Sequence, residues 1–112
     1  MNYYKRHLGD YAKKAGHLST WEHGAYTLIL DAYYDRELAP TLEEAFMFSR
    51  AKKANDKRTV IELLAQFFAE RDGRWYQQRV EDELERYRAI SEHNSAAGKL
   101  GGRPPRARKI ER

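Results

Sequence analysis

A dense group of basic residues lies near the middle of the chain, at Arg50, Lys52, Lys53, Lys57 and Arg58. Asp56 is the one acid among residues 50–58, which leaves a balance of +4 over these nine positions. Cations at this density bind the phosphate oxygens of nucleic acid, but a solvated charged turn has the same composition. The cluster therefore predicts either a DNA contact or an exposed turn.

The helix that follows this cluster is predicted to present Arg58, Thr59, Glu62 and Gln66 on its outward face. The Gln66 amide could read a base edge in the major groove, whereas Glu62 would repel nearby phosphates. We therefore expect binding to the DNA backbone rather than readout of a base sequence.

Two further arginines, Arg71 and Arg74, flank the dipeptide Asp72-Gly73. This dipeptide is a strong signal for a tight hairpin turn, and the hairpin would form a wing beside the DNA. Arginines next to a turn are also commonly solvated and unpaired, so both interpretations stay open.

The C-terminal residues carry most of the positive charge, at Lys99, Arg103, Arg106, Arg108, Lys109 and Arg112, against the single acid Glu111. Residues 94–112 thus carry a charge of +5 and residues 1–93 a charge of −1, which together give the net charge of +4. Gly102-Arg103-Pro104 is similar to the core of an AT-hook, which lays arginine into a narrow minor groove. We expect residues 94–112 to form a flexible basic tail that either binds DNA or serves as a linker.

A protein-docking surface is the alternative function. His23, Thr27, Asp31 and Asp35 recur every four residues and would form one polar ridge along a helix. Acidic residues of the last helix, Glu81, Asp82 and Glu85, could extend this surface toward a replisome component or a host defence complex. Carboxylates along a helix are, however, usually plain solvated surface.

Enzyme chemistry is not expected. The four histidines include no pair at i,i+4 spacing, and cysteine is absent, so no metal site is predicted. The sequence contains no nucleophile motif, phosphate-binding loop or dinucleotide fingerprint. We therefore predict no catalytic residue, no cofactor and no metal.

The elements that must position these residues follow from capping and periodicity. Ser19 with Glu22 forms a capping-box pattern that predicts a central helix over about 20–36, apolar on most of its circumference. Pro40 interrupts the chain, and Thr41 with Glu44 predicts a second helix to about residue 51. Asn55 or Asp56 is expected to cap a third helix, and the hairpin precedes a last helix over about 79–92.

The first sixteen residues keep neither a helical nor a strand period. They are predicted to form a packed, irregular segment that turns at Gly9-Asp10. Its expected anchors are Tyr3, Tyr4, Leu8 and Tyr11.

Helix, helix, turn, helix, hairpin and helix is the order of a winged helix with an extra C-terminal helix. We thus predict a mainly α, winged-helix-like helix-turn-helix domain at 1–93, with a short β-hairpin wing and the tail at 94–112. A length of 112 residues suits one domain. The lack of cysteine, of a signal peptide and of a membrane-spanning apolar run favours a soluble, cytoplasmic protein.

Several sequence blocks carry a family resemblance: Gly9-Asp10-Tyr11, His17-Leu18-Ser19, Glu22-His23-Gly24-Ala25-Tyr26 and the small-residue run over 95–102. In this order they make residues 3–103 resemble the YdaU-like family of prophage proteins, a domain of unknown function often found at the N-terminus of phage replication proteins. The resemblance implies a phage or prophage origin and a winged-helix-like fold. It also implies a role near replication initiation or DNA binding in a bacterial host cell.

Overall fold

The computed structural model describes the backbone of residues 1, 3–6 and 8–101, and their side chains except those of 10, 14 and 95–101. Its elements are α1 (Leu8–Ala15), α2 (Thr20–Arg36), α3 (Leu42–Ser49), α4 (Ala54–Phe67), β1 (Ala69–Arg71), β2 (Arg74–Tyr76) and α5 (Gln78–Gly101). Contacts divide the chain into one compact unit over 1–81 and a second that begins at Asp82. No helix in the described part is long and apolar enough to cross a membrane.

Helix α2 begins and ends where the sequence predicts. The Ser19 hydroxyl accepts from the Glu22 backbone N–H at 3.2 Å, and the Glu22 carboxylate accepts from the Ser19 N–H at 2.7 Å. Its buried residues are Ala25, Tyr26, Ile29, Tyr33 and Tyr34. Trp21, in the first turn, is 41% exposed, so the buried positions begin one turn later, at Ala25.

Helices α3 and α4 are two helices joined by a short turn, as predicted, with one correction. Thr41 and Glu44 make the expected capping box at the start of α3, and Arg50 ends this helix in the left-handed conformation, with φ 62°. The predicted cap of α4 at Asn55 or Asp56 is wrong, because Lys53 already adopts the extended N-cap backbone and α4 begins at Ala54.

The predicted hairpin is confirmed. Strands β1 and β2 pair antiparallel with Glu70 opposite Trp75, and Asp72 and Gly73 both have positive φ, 52° and 81°, as a type I′ turn requires. The hairpin is attached to the α2–α3 loop, since the Trp75 N–H donates to the Pro40 carbonyl at 2.8 Å and Thr41 forms a β-bridge with Arg74.

The prediction of an irregular N-terminal segment is wrong for residues 8–15, which form α1, so Gly9-Asp10 is not a turn. Leu8 and Tyr3 are 70% and 84% exposed and do not anchor the segment, whereas Ala15 is buried. Tertiary packing, more than local propensity, stabilises short helices. Helix α1 packs through Tyr11, which contacts Tyr26 and His23 of α2, and through the buried Ala15.

Helix α5 also departs from its prediction, because it continues to Gly101 instead of ending near Glu92. Residues 95–101, expected to be flexible, are therefore helical. Alanine and lysine favour helix, and an internal glycine costs only about 1 kcal/mol, so Gly98 does not end it. The predicted tail residues 102–112 lie outside the described residues.

Candidate functional site

The predicted phosphate-binding cations gather at one end of α4. Arg50, Lys52 and Lys53 form the turn between α3 and α4, and Lys57 and Arg58 lie on the first turns of α4. All five side chains are exposed. We call this set (Arg50, Lys52, Lys53, Lys57 and Arg58) the basic turn.

Two members of the basic turn are oriented by neighbouring groups. The Lys57 ammonium lies 5.4 Å from the centre of the Phe46 ring, and the Arg58 guanidinium donates to the Asn55 side chain at 2.9 Å. Both contacts are with uncharged partners, so neither neutralises the cation.

The N-terminus of α4 is open. Its N-cap, Lys53, provides no side-chain acceptor for the first backbone N–H groups, whereas α2 and α3 both start with a complete capping box. The positive end of a helix dipole together with free N–H groups favours an anion. The basic turn therefore surrounds an uncapped helix end, and Asp56 in the first turn of α4 places one carboxylate beside the same end.

The two predicted polar residues further along α4 are already bonded within the protein. The Thr59 hydroxyl donates to the Asn55 carbonyl at 3.0 Å. The Gln66 amide nitrogen lies 2.7 Å from Nε2 of His17, and Gln66 follows Arg58 by about 12 Å along the helix axis. The structure thus separates Gln66 from the basic turn.

The two hairpin arginines have different roles. Arg71 is exposed, with its guanidinium 4.1 Å from the centre of the Tyr76 ring. Arg74 is half-buried and donates to the Ala39 carbonyl at 2.5 Å and to the Glu44 carboxylate at 3.3 Å. Arg74 therefore fastens the hairpin, and Arg71 is the arginine that remains available at its tip.

Glu44 is a structural residue whose full role the sequence did not reveal. Besides capping α3, its carboxylate pairs with Arg36 of α2 at 3.1 Å and with Arg74 of β2. The Thr41 backbone N–H, and then Arg36, hold the pKa of Glu44 below its usual value. The capping pattern was visible in the sequence, but the two ion pairs join distant elements and gave no local signal.

Two residues of the ridge predicted as a docking edge contact the N-terminal segment. The Tyr4 hydroxyl donates to the Asp31 carboxylate, and the Tyr11 hydroxyl lies 2.5 Å from Nδ1 of His23. The Tyr4 ring also stacks on Tyr34, with centres 3.9 Å apart, and burial together with Asp31 raises the pKa of Tyr4. Half of the ridge is thus occupied by the chain itself.

The remaining predicted docking residues are Thr27, Asp35, Glu81, Asp82 and Glu85. Thr27 is half-buried, while Asp35, Asp82 and Glu85 are exposed. The Glu81 carboxylate accepts from the Tyr33 hydroxyl, and burial together with this carboxylate raises the pKa of Tyr33. Glu81 is therefore half-buried and bonded within the first unit.

The structure does not describe the side chains of several residues that were predicted to bind DNA. Lys99 lies in α5, with its side chain outside the described residues, and Arg103, Arg106, Arg108 and Lys109 lie outside them altogether. Among the side chains that the structure does describe, no group of three or more His, Cys, Asp or Glu residues could hold a metal ion.

A cleft that sequence reasoning missed lies at the other end of α4. It has a volume of about 370 Å³ and lies between the N-terminal segment, α2, the last residues of α4 and the first of α5. Its aromatic lining consists of Tyr4, Tyr11, Tyr26, Tyr34 and Phe67. We call it the aromatic cleft. Only the tyrosine-rich composition of the N-terminal region could have suggested it.

Comparison with known proteins gives a family without an activity. The family model described as "Protein of unknown function (DUF1376)" matches residues 2–85. The uncharacterized protein YdaU of Escherichia coli (strain K12) is 30% identical over 110 residues, which cover 97% of this chain but only 38% of that relative. No solved structure matches the chain. The resemblance to YdaU expected from the sequence blocks is confirmed, and the chain belongs to the DUF1376 family of proteins of unknown function.

Proposed function

We propose that this chain is a non-enzymatic DNA-binding protein whose basic turn contacts the phosphate backbone of duplex DNA. The observation that carries the proposal is the placement of five exposed cations around the open N-terminus of α4. Lysine and arginine side chains and helix N-termini are the groups that proteins most often direct at DNA phosphates.

The order of the helices and the hairpin supports this role. Helices α2, α3 and α4 precede the hairpin, and the bridge from Thr41 to Arg74 adds a short third strand segment beside β2. In helix-turn-helix proteins the second helix of the motif enters the major groove with its N-terminal end foremost. In the proposed complex α4 would be that second helix, and Arg71 at the hairpin tip would contact the neighbouring backbone.

The contacts favour backbone binding over sequence readout. Gln66, the best candidate for a base contact, is bonded to His17, and Glu62 is exposed on the same helix. Cation–phosphate contacts make affinity fall steeply with salt and depend little on sequence.

Family resemblance supports the biological setting of the proposal. Membership of a YdaU-like family accords with a phage-derived protein that acts near replication initiation in the cytoplasm of a bacterial host. Deleting the coding sequence from an inducible phage genome should then lower phage DNA copy number after induction, and an unchanged copy number would exclude the replication role.

DNA binding itself is tested by fluorescence anisotropy with a labelled duplex over a series of salt concentrations. The wild-type protein should bind at about 50 mM salt and release the duplex as salt rises. Lys52→Gln with Lys53→Gln should bind more weakly, with a slope of log affinity against log salt that is smaller by about 2.

The matched control is Lys13→Gln with Arg86→Gln, which removes the same charge from exposed residues that belong neither to the basic turn nor to the hairpin. This variant should keep the wild-type slope. Absence of wild-type binding at low salt, or equal loss in both double variants, would refute a duplex contact at the basic turn.

A further inference from the structure

The aromatic cleft offers ring surface rather than hydroxyl groups. The Tyr4 hydroxyl is held by Asp31 and that of Tyr11 by His23. The Tyr26 hydroxyl accepts from the Gln77 amide at 2.9 Å, and the Tyr26 and Phe67 rings lie 4.9 Å apart. Tyr26 and Tyr34 are only 7% and 4% exposed, so the ring surface comes mainly from the half-buried Tyr4 and Tyr11. Because the hydroxyls of Tyr4 and Tyr11 already have protein partners, stacking on a flat ring is the main contact that these two residues can give a ligand.

Positive charge accompanies this aromatic lining. Lys5, Arg6 and Arg79 line the cleft, and no carboxylate does so among its described lining residues. The Arg6 guanidinium lies 4.6 Å from the centre of the Tyr11 ring, so a cation and an aromatic face are presented side by side. The lining thus fits a ligand that has both a planar ring and a negative charge.

We propose that the aromatic cleft binds one nucleotide, with its base against the tyrosine rings and its phosphate beside Lys5 and Arg6. Proteins hold single nucleic-acid strands by combining aromatic stacking surfaces with cations along the backbone. A volume of about 370 Å³ lies within the range of small-molecule sites. The nucleotide is either free or one unit of a single strand.

This site is distinct from the proposed duplex contact. The cleft borders Gln66 and Phe67 at the C-terminal end of α4, whereas the basic turn surrounds the N-terminal end. Fourteen residues of helix separate the two ends by about 20 Å. A result that refutes binding at one site therefore does not refute binding at the other.

The test is a titration of the isotopically labelled full chain by NMR, with dAMP, deoxyadenosine and inorganic phosphate as separate probes. Saturable shifts at cleft residues are expected with dAMP, and weaker binding with each of the other two. Phosphate alone binding as tightly as dAMP, or dAMP shifts absent from the cleft, would overturn the proposal. If a short oligodeoxyadenylate binds more tightly than dAMP at the same residues, the ligand is a nucleotide within a single strand. If the two affinities are equal, the ligand is the free nucleotide. Both outcomes support the site.

Substitutions separate this site from the basic turn. Lys5→Gln with Arg6→Gln should weaken dAMP binding about five- to tenfold, as expected for two exposed charge contacts. Lys52→Gln with Lys53→Gln removes equal charge at the other end of α4 and should leave dAMP binding unchanged. Equal weakening in both variants would mean that only net charge is sensed, which would overturn the proposed site.

Discussion

Replacing Arg74 with methionine removes the guanidinium from the hairpin but keeps an unbranched side chain of similar reach. Two contacts disappear with it, the donation to the Ala39 carbonyl at 2.5 Å and the pair with Glu44 at 3.3 Å. The Ala39 carbonyl then loses a charged donor in a region where Ala39 itself is 1% exposed. Arg74→Met should therefore destabilise the fold rather than simply weaken DNA binding.

The expected loss can be estimated contact by contact. A hydrogen bond from a charged group contributes about 1.5–3 kcal/mol, and a half-exposed ion pair adds at most about 1 kcal/mol. We therefore expect Arg74→Met to lower the free energy of unfolding by about 2–3 kcal/mol. For a chain of this length that corresponds to a fall in Tm of about 10 °C.

The assay is thermal unfolding followed by circular dichroism, with Arg71→Met as the matched control. Arg71 carries the same charge on the same hairpin, but its described contact is an exposed one with the Tyr76 ring, worth under about 1 kcal/mol. At a temperature where both variants are folded, Arg71→Met should lose duplex affinity and Arg74→Met should keep it. Equal Tm values, or equal loss of affinity by the folded variants, would refute this division of roles.

Two further predictions concern pH and backbone conformation. Because the pKa of Glu44 is lowered in the folded state, its contribution to stability is present above the unfolded pKa and lost as pH falls through the folded pKa. Glu44→Gln should lack this contribution, so its free energy of unfolding should fall less between neutral pH and values below about pH 5 than that of the control Glu43→Gln. Identical pH profiles for the two variants would contradict the prediction. Gly24→Ala, in α2 with nothing within 4 Å of the added carbon, should stabilise by about 0.5–1 kcal/mol. Gly73→Ala, at φ 81°, should destabilise by about 1 kcal/mol, and denaturant unfolding that gave both the same sign would refute the conformational argument.

The parts of the fold that the sequence predicts correctly depend on interactions between near neighbours. The capping box of Ser19 and Glu22 joins residues three apart, and so does that of Thr41 and Glu44. The hairpin at Asp72-Gly73 is equally local, because two positive φ angles select these residue types. The five cations of the basic turn lie within nine residues of one another, so their proximity could also be predicted from the sequence.

The errors arise where distant contacts override local preference. Helix α1 is only eight residues long and contains Gly9, so the helical spacing of Tyr11, Ala12 and Ala15 is too short a period to indicate a helix by itself. The helix packs through Tyr11 against residues of α2. Arg74 looked like a wing contact because its partners, Ala39 and Glu44, lie 35 and 30 residues away. The aromatic cleft brings together four separate segments, so no single stretch of sequence contains it.

Arg50 has a left-handed backbone conformation, so the residue that best stabilises this helix end differs from the residue that adds positive charge. A residue with a side chain loses about 1 kcal/mol of stability in this conformation, and glycine avoids that loss. Glycine also loses more backbone entropy on folding, which offsets part of the advantage. Glycine is the common choice at such a helix end, yet here it would remove a cation from the basic turn. Arg50→Gly would therefore relieve the strained backbone and at the same time lower the positive charge of the basic turn.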